Sequence, residues 1–165
     1  MTRIGIRWYV RRDAPDILRI AALRGLPLDD DELCRFLRQP CNIGMVAEAD
    51  GDAVVGFLLY TLGDRCTEIA ALGAESPAAS EALLAKVESK LSRRRRRAQW
   101  DVPERDTALL VWLRSRGWRA VGMLRGKHGE NDAVRMVKWR DGAAEEGEPT
   151  AQALNEPHTQ RGPTR

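Results

Sequence analysis

The sequence predicts one mixed α/β domain, a mixed sheet with helices on both faces. Three observations carry this. Two strand-like runs, 43–49 and 53–62, flank Asp50-Gly51-Asp52, the pattern of a tight hairpin. A strand-like run at 67–72 leads through Gly73-Ala74-Glu75 and Ser76-Pro77 into a long helical stripe, which makes a strand-to-helix crossover. The whole order, β-α-α-β-β-β-α-β-α-β-β, lacks the strict alternation of a doubly wound nucleotide-binding sheet.

The elements follow in order. Ile4 to Val10 is rich in β-branched and aromatic residues and ends at Arg11-Arg12, as a first strand would. Asp13 offers a helix N-cap, Pro15 suits the first turn, and Ile17, Leu18, Ala21 and Ala22 recur at helical spacing. Gly25 and Pro27 end that helix. Asp29-Asp30-Asp31-Glu32 opens a second one, with acidic charge at the positive end of the macrodipole and Leu33, Phe36 and Leu37 on its apolar face. Pro40 stops it before the hairpin. The long helix after Ser76 carries Leu83, Leu84, Val87 and Leu91 on one face. Ala98 to Val102 reads as a fifth strand, and Asp106 to Arg116 as a helix closed by Gly117 at C′. Trp118 to Leu124 and Ala133 to Trp139 complete the sheet.

From Asp141 onward the chain is Gly, Pro, Glu, Thr and Gln with almost no bulky apolar residue, a composition that does not repay the entropy of ordering. The division is therefore a domain at 1–140 and a disordered tail at 141–165. About 140 residues suffice to bury roughly two-thirds of their unfolded surface. No run approaches the roughly 18 apolar residues of a membrane span. The N-terminus has no unbroken apolar segment of the secretory type, which points to the cytoplasm. Cys34, Cys41 and Cys66 are odd in number and form no CxxC pair, so they suggest neither a disulfide framework nor a zinc site, and they read as buried, reduced thiols. A nucleophilic Cys–His pair with His128 is the sharper and rarer alternative.

The net charge of +3 hides an asymmetry: residues 1–140 carry 25 basic against 19 acidic side chains, or +6, and residues 141–165 carry two against five. A basic domain suits an anionic ligand such as a phosphorylated coenzyme, and equally nucleic acid or a ribosome. Arg93 to Arg97 concentrates that charge, although a charge run is ordinarily a solvated face. The tryptophans Trp8, Trp100, Trp112, Trp118 and Trp139 fall within predicted elements and read as core or interface residues.

Several segments together carry a family likeness. They are Arg11-Arg12-Asp13-Ala14-Pro15, Phe36-Leu37-Arg38-Gln39, Gly44-Met45-Val46-Ala47-Glu48, Val54-Val55-Gly56-Phe57-Leu58-Leu59-Tyr60, and Leu113-Arg114-Ser115-Arg116-Gly117-Trp118-Arg119-Ala120-Val121. In order and spacing over residues 4–140 they resemble the GNAT acetyltransferases, specifically the branch of the ribosomal-protein alanine N-acetyltransferases. The resemblance implies a GNAT-like acyl-CoA N-acyltransferase fold, acetyl-CoA as coenzyme, and an amine acceptor that is a protein N-terminus or a small molecule.

The resemblance also implies a coenzyme loop of the form Gln/Arg-x-x-Gly-x-Gly/Ala before the long helix, whose glycines let backbone N–H groups approach a pyrophosphate. The matching stretch is Gly73-Ala74-Glu75-Ser76-Pro77-Ala78-Ala79-Ser80, with no Gly-x-Gly, no leading Arg or Gln, and Glu75 where phosphate charge would lie. Coenzyme contacts implied are Ala70, Leu72, Gly73, Ser76, Ala78, Ala79 and Ser80, with Asp106 at a family asparagine position and also a candidate helix N-cap. Coenzyme binding is expected to be weakened. Asp101 matches the family's glutamate base, with Glu104 and Glu68 as weaker substitutes. Leu113 stands where the family places a tyrosine acid, and it continues the apolar stripe of Leu109 and Leu110. The leading expectation is an N-acetyltransferase; the alternative is a degenerate GNAT-fold module that binds protein, nucleic acid or an acyl ligand without turnover.

Overall fold

The structure, a computed structural model, describes residues 3–50, 52–129 and 131–140. Its elements are β1 (Gly5–Trp8), a 3-10 turn (Arg11–Asp13), α1 (Ala14–Leu23), α2 (Asp30–Leu37), β2 (Asn42–Ala49), β3 (Ala53–Leu62), β4 (Cys66–Ala74), α3 (Pro77–Glu88), β5 (Arg97–Pro103), α4 (Thr107–Ser115), β6 (Arg119–His128) and β7 (Asn131–Trp139). The strands form one seven-stranded sheet in the order β1-β2-β3-β4-β5-β7-β6. Every neighbouring pair is antiparallel except β4 and β5, because α3 carries the chain across to restart in the same direction.

Local chemistry explains most boundaries. Asp29 accepts the Glu32 N–H at 2.7 Å while the Glu32 carboxylate accepts the Asp29 N–H at 3.2 Å, a capping box that starts α2. Ser76 Oγ accepts the Ala79 N–H at 3.3 Å and Pro77 fills the first position of α3. Asp106 caps α4 through the Leu109 N–H at 3.1 Å. Gly117, at φ +82°, reverses the chain after α4; a Cβ there would meet Lys138 Nζ at 2.8 Å, and that ammonium donates to Arg116 O.

Three expectations need correction. Asp13 precedes α1 but makes no side-chain cap; its carboxylate accepts from Arg7 and from the Val10 N–H instead. The strand predicted to end at Leu72 continues through Gly73 and Ala74, held by pairing with Phe57 and Gly56 of β3. The cysteines are not buried: Cys34 and Cys41 are exposed, Cys66 is half-buried, and all three are free thiols. Gly51 of the hairpin and the predicted tail at 141–165 lie outside the described residues, and Asp52 beside the hairpin apex has φ +63°.

Apolar side chains form three clusters. Ile17, Ile20, Leu33, Val46, Phe57 and Leu59 pack α1 and α2 on one face of the sheet. Met45, Leu58, Tyr60, Leu83 and Val87 pack α3 on the other. Ile69, Leu84, Trp100, Leu113, Trp118 and Met136 join α3 and α4 over β5 and β7. Alternation along β3 divides its residues between the first two clusters, as strand geometry requires. Among the described residues no helix is long and apolar enough to cross a membrane.

Candidate functional site

The site begins with a mismatch between strand lengths and strand pairing. β4 and β5 are hydrogen-bonded only over Cys66–Ile69 and Arg97–Trp100. On its other side, β4 pairs with β3 so that Leu59 faces Ala71 and Tyr60 faces Ile69, leaving Ala70 as an extra residue. Such a bulge bends its strand. Beyond it β4 follows β3, β5 follows β7, and the two parallel strands separate. A cleft of about 1090 Å³ opens at their carboxyl ends, where ligands of parallel sheets ordinarily bind.

The walls are largely apolar. Leu26, Pro27 and Phe36 close the α1–α2 side, and Trp100, Leu109 and Trp112 the opposite side. The N-terminus of α3 stands at the rim. Of its first amides, Ala79 N–H is taken by Ser76 Oγ, Ser80 N–H by Ser76 O at 3.2 Å, and Pro77 has none. Among the described residues, Ser76 and Ala78 keep the unaccepted N–H groups of that turn, so the helix end presents only part of the usual anion cradle. Glu75 does not stand alone at the rim. Its carboxylate is ion-paired to Arg19 of α1, which also reaches the Val54 carbonyl at 3.3 Å.

Asp101 is the acidic side chain that β5 contributes to the cleft, and its side chain is only 7% exposed. The register sets Arg135 of β7 directly opposite. Arg135 Nε donates to Oδ1 at 2.8 Å and Nη2 to Oδ2 at 3.0 Å, a bidentate pair, and Lys127 Nζ lies 3.4 Å from Oδ2. Burial pushes the Asp101 carboxyl up, but the hydrogen bonds and charges of Arg135 and Lys127 outweigh it and hold the carboxyl below its ordinary value. The carboxylate stays ionised, and both its oxygens are engaged.

The other sequence-derived candidates divide. Ala70, Leu72, Ser76, Ser80 and Asp106 line the cleft. Gly73 does not: it is buried against Phe57, whose Cε1 would lie 2.7 Å from an added Cβ, so packing rather than a ligand requires glycine there. Ala79 is fully buried in the α3 core, and Ala78 is exposed beside the rim. Glu104 is exposed and outside the cleft walls, its N–H bonded to Asp132 O at 3.0 Å. Glu68 pairs with Gln99 where the strands are still joined. Leu113 is fully buried in the third cluster, so that position offers no proton donor. Tyr60 is also buried, its hydroxyl accepting from Lys90 Nζ at 3.3 Å and pushed up by burial to about 12, and it lies outside the cleft walls.

Of the tryptophans, Trp100 and Trp118 are buried, Trp112 and Trp139 half-buried and Trp8 exposed. The side chain of His128 is not among those described. Sequence reasoning missed Arg19, Lys127 and Arg135. Each meets its carboxylate across tens of residues, and no local spacing signals such a pair.

Neither a family model nor a curated protein sequence matches the chain. Solved structures do. The ribosomal-protein-S18-alanine N-acetyltransferase from Escherichia coli superposes with a TM-score of 0.73 at 15% identity, covering 88% of this chain and 99% of that one. A GNAT family acetyltransferase from Elizabethkingia anophelis with acetyl-CoA bound gives 0.65 at 13% identity, covering 82% and 97%. A probable GNAT family acetyltransferase from Chromobacterium violaceum gives 0.69 at 21% identity, covering 83% of each chain. With the same mixed sheet and near end-to-end coverage, this chain has the fold of the GNAT acetyltransferases.

Proposed function

We propose that the cleft between β4 and β5 holds acetyl-CoA and that the protein transfers acetyl to an amine, a protein N-terminus or a small molecule. The observation that carries this reading is the split itself. Past Ile69 the edge of β4 has lost its β5 partner, and backbone amides without partners favour a ligand that supplies amides of its own, as an added strand would. The pantetheine arm of a coenzyme has that chemistry. Ala70 and Leu72 would hold it, with the Ser76 turn and Ser80 toward its phosphate end. Arg19 offsets the charge of Glu75 there, but with only the Ser76 and Ala78 N–H groups open the anchor is weak, so affinity is expected to be low for a coenzyme site. The bound thioester would supply the activated acyl group.

What the chain contributes to chemistry is chiefly position. Asp101 accepts the proton of the acceptor ammonium in this reading, although a carboxylate shared with Arg135 and Lys127 is a poor base. Because Asp101 stays ionised through neutral pH, the rate should follow the acceptor's own amine. A profile that rises and levels near pH 8 marks an α-amino acceptor, with its ordinary pKa of about 7.7–8.0. One that climbs toward pH 10 marks a lysine-like amine.

A second reading rests on two specific observations, the engaged oxygens of Asp101 and the buried Leu113: a GNAT-fold module that binds its ligand without turnover. Calorimetry with acetyl-CoA at low salt, followed by thiol release with peptide and small amines, separates the two. Binding with release supports the transferase, and binding without release the module. No heat at millimolar coenzyme would sink the transferase and leave the module with a ligand other than the coenzyme.

A further inference from the structure

The arginine run lies at the end of the sheet away from the cleft. Arg97 begins β5 and Cys66 begins β4, so the loop Ser92–Arg96 and the turn Gly63–Arg65 meet at the amino ends of the two parallel strands. The length of β5, about 20 Å at the strand rise of ~3.3 Å per residue, separates this end from the cleft.

The loop is built, not loose. Ser92 N–H donates to Arg95 O at 2.9 Å and Arg96 N–H to Arg65 O at 3.2 Å. Arg140 N–H donates to Arg96 O at 2.8 Å, and Arg95 Nε donates to Gly63 O at 3.0 Å. Arg95 is thus spent on structure, as a half-buried pin between the two turns. Arg65, Arg93, Arg94 and Arg96 are exposed around it. The acidic side chain paired within this group is Asp64, 3.8 Å from Arg94 and almost wholly in solvent. The backbone bonds bring four exposed arginines to one end of the sheet against one paired carboxylate, a local excess of positive charge that attracts an anionic partner.

We propose that Arg65, Arg93, Arg94 and Arg96 form a docking surface for the phosphate backbone of a nucleic acid. Guanidinium forks pair with phosphate oxygens two at a time, and a row of phosphates matches a row of arginines. A protein partner would need apolar anchors at the centre of its interface. The exposed large apolar side chains, Trp8, Val10, Leu23, Val111 and Met123, all belong to other segments. This surface stands apart from the cleft, and the proposal does not depend on acyl transfer.

The test is fluorescence anisotropy of labelled 20-nucleotide single-stranded RNA and DNA with the full chain, from 50 to 300 mM salt. Each neutralised phosphate of a single strand contributes about −0.7 to the slope of log K against log salt, so four contacts give about −3. The variant R93Q/R94Q/R96Q should weaken binding at 50 mM by about tenfold or more and flatten the slope to about −0.7. R93K/R94K/R96K should keep most of the slope, since it keeps the charge. RNA and DNA should bind alike, because backbone contacts read no sequence.

The proposal is overturned if the wild type shows no binding at 50 mM, or if the glutamine variant binds with unchanged affinity and slope. It is also overturned if poly-L-glutamate of equal charge displaces the strand as well as unlabelled RNA does, which would mark an acidic protein as the partner. Asp141, Glu145, Glu146 and Glu148 follow Arg140 in the sequence. Binding that appears only in D141N/E145Q/E146Q/E148Q would make the chain's own carboxylates the occupant, and would equally overturn it.

Discussion

The Asp13 carboxylate, 3% exposed, accepts from Arg7 Nη1 at 2.7 Å, Arg7 Nη2 at 2.9 Å and the Val10 N–H at 2.8 Å, while Arg7 Nε reaches Glu48 at 2.5 Å. Together they tie β1, the 3-10 turn and β2. The Arg7 hydrogen bonds lower the Asp13 carboxyl most; burial opposes them, and the Val10 N–H adds to the lowering. A carboxyl whose folded pKa lies below its unfolded value stabilises the protein above the unfolded value and loses that contribution as pH falls through the folded one. Asp13→Ala leaves a half-buried Arg7 with Glu48 alone and frees the Val10 N–H, and it should cost about 2 kcal/mol at pH 7 in urea unfolding. Below pH 4 the gap between variant and wild type should shrink. A gap that stays constant from pH 7 to 3 would show that Asp13 acts through packing alone. Arg135 and Asp101 follow the same logic in the cleft, where the pair exists only because β5 and β7 share a register.

Helix α3 shows what a cap can and cannot do at the scale of an element. Ser76-Pro77 starts it as the sequence predicts, and the same serine that stabilises the turn also takes the Ala79 N–H that a phosphate would use. Ser76→Ala should lower stability by about 1 kcal/mol, measured as a shift in the thermal or urea midpoint. It should not weaken acetyl-CoA binding, since it frees an amide at the rim; a loss of affinity larger than the loss of stability would give Ser76 a direct ligand contact. The end of the neighbouring β4 is set by its partner strand rather than by its own residues. Gly73 and Ala74 have little strand propensity, and they are strand because β3 runs beside them and the Glu75 N–H is bonded to Val55 O at 2.8 Å.

At the scale of the whole molecule, the seam between β4 and β5 divides the sheet. Four residue pairs join it, against seven between β5 and β7, and the third apolar cluster sits almost wholly on one side, bridged by Ile69, Leu72 and Leu84. A boundary so thinly bonded should open below the global unfolding free energy. Hydrogen exchange should find the amides of Cys66–Ile69 and Arg97–Trp100 less protected than those joining β2 to β3, and saturating acetyl-CoA should slow them. Equal protection across the sheet would show that the apolar bridge, not the hydrogen bonds, sets the stability of the seam.

The sequence by itself determined the element order, the hairpin, the helix caps at Ser76 and Asp106, the acidic start of α2 and the apolar faces, because periodicity and capping act over a few residues. Only the tertiary structure decided that Ala70 bulges, that β4 and β5 part, that Glu75 meets Arg19 and that Asp101 is held by Arg135 and Lys127. Each of those depends on strand register or on side chains brought together across long stretches of chain, where free energy is shared among partners that no local pattern marks.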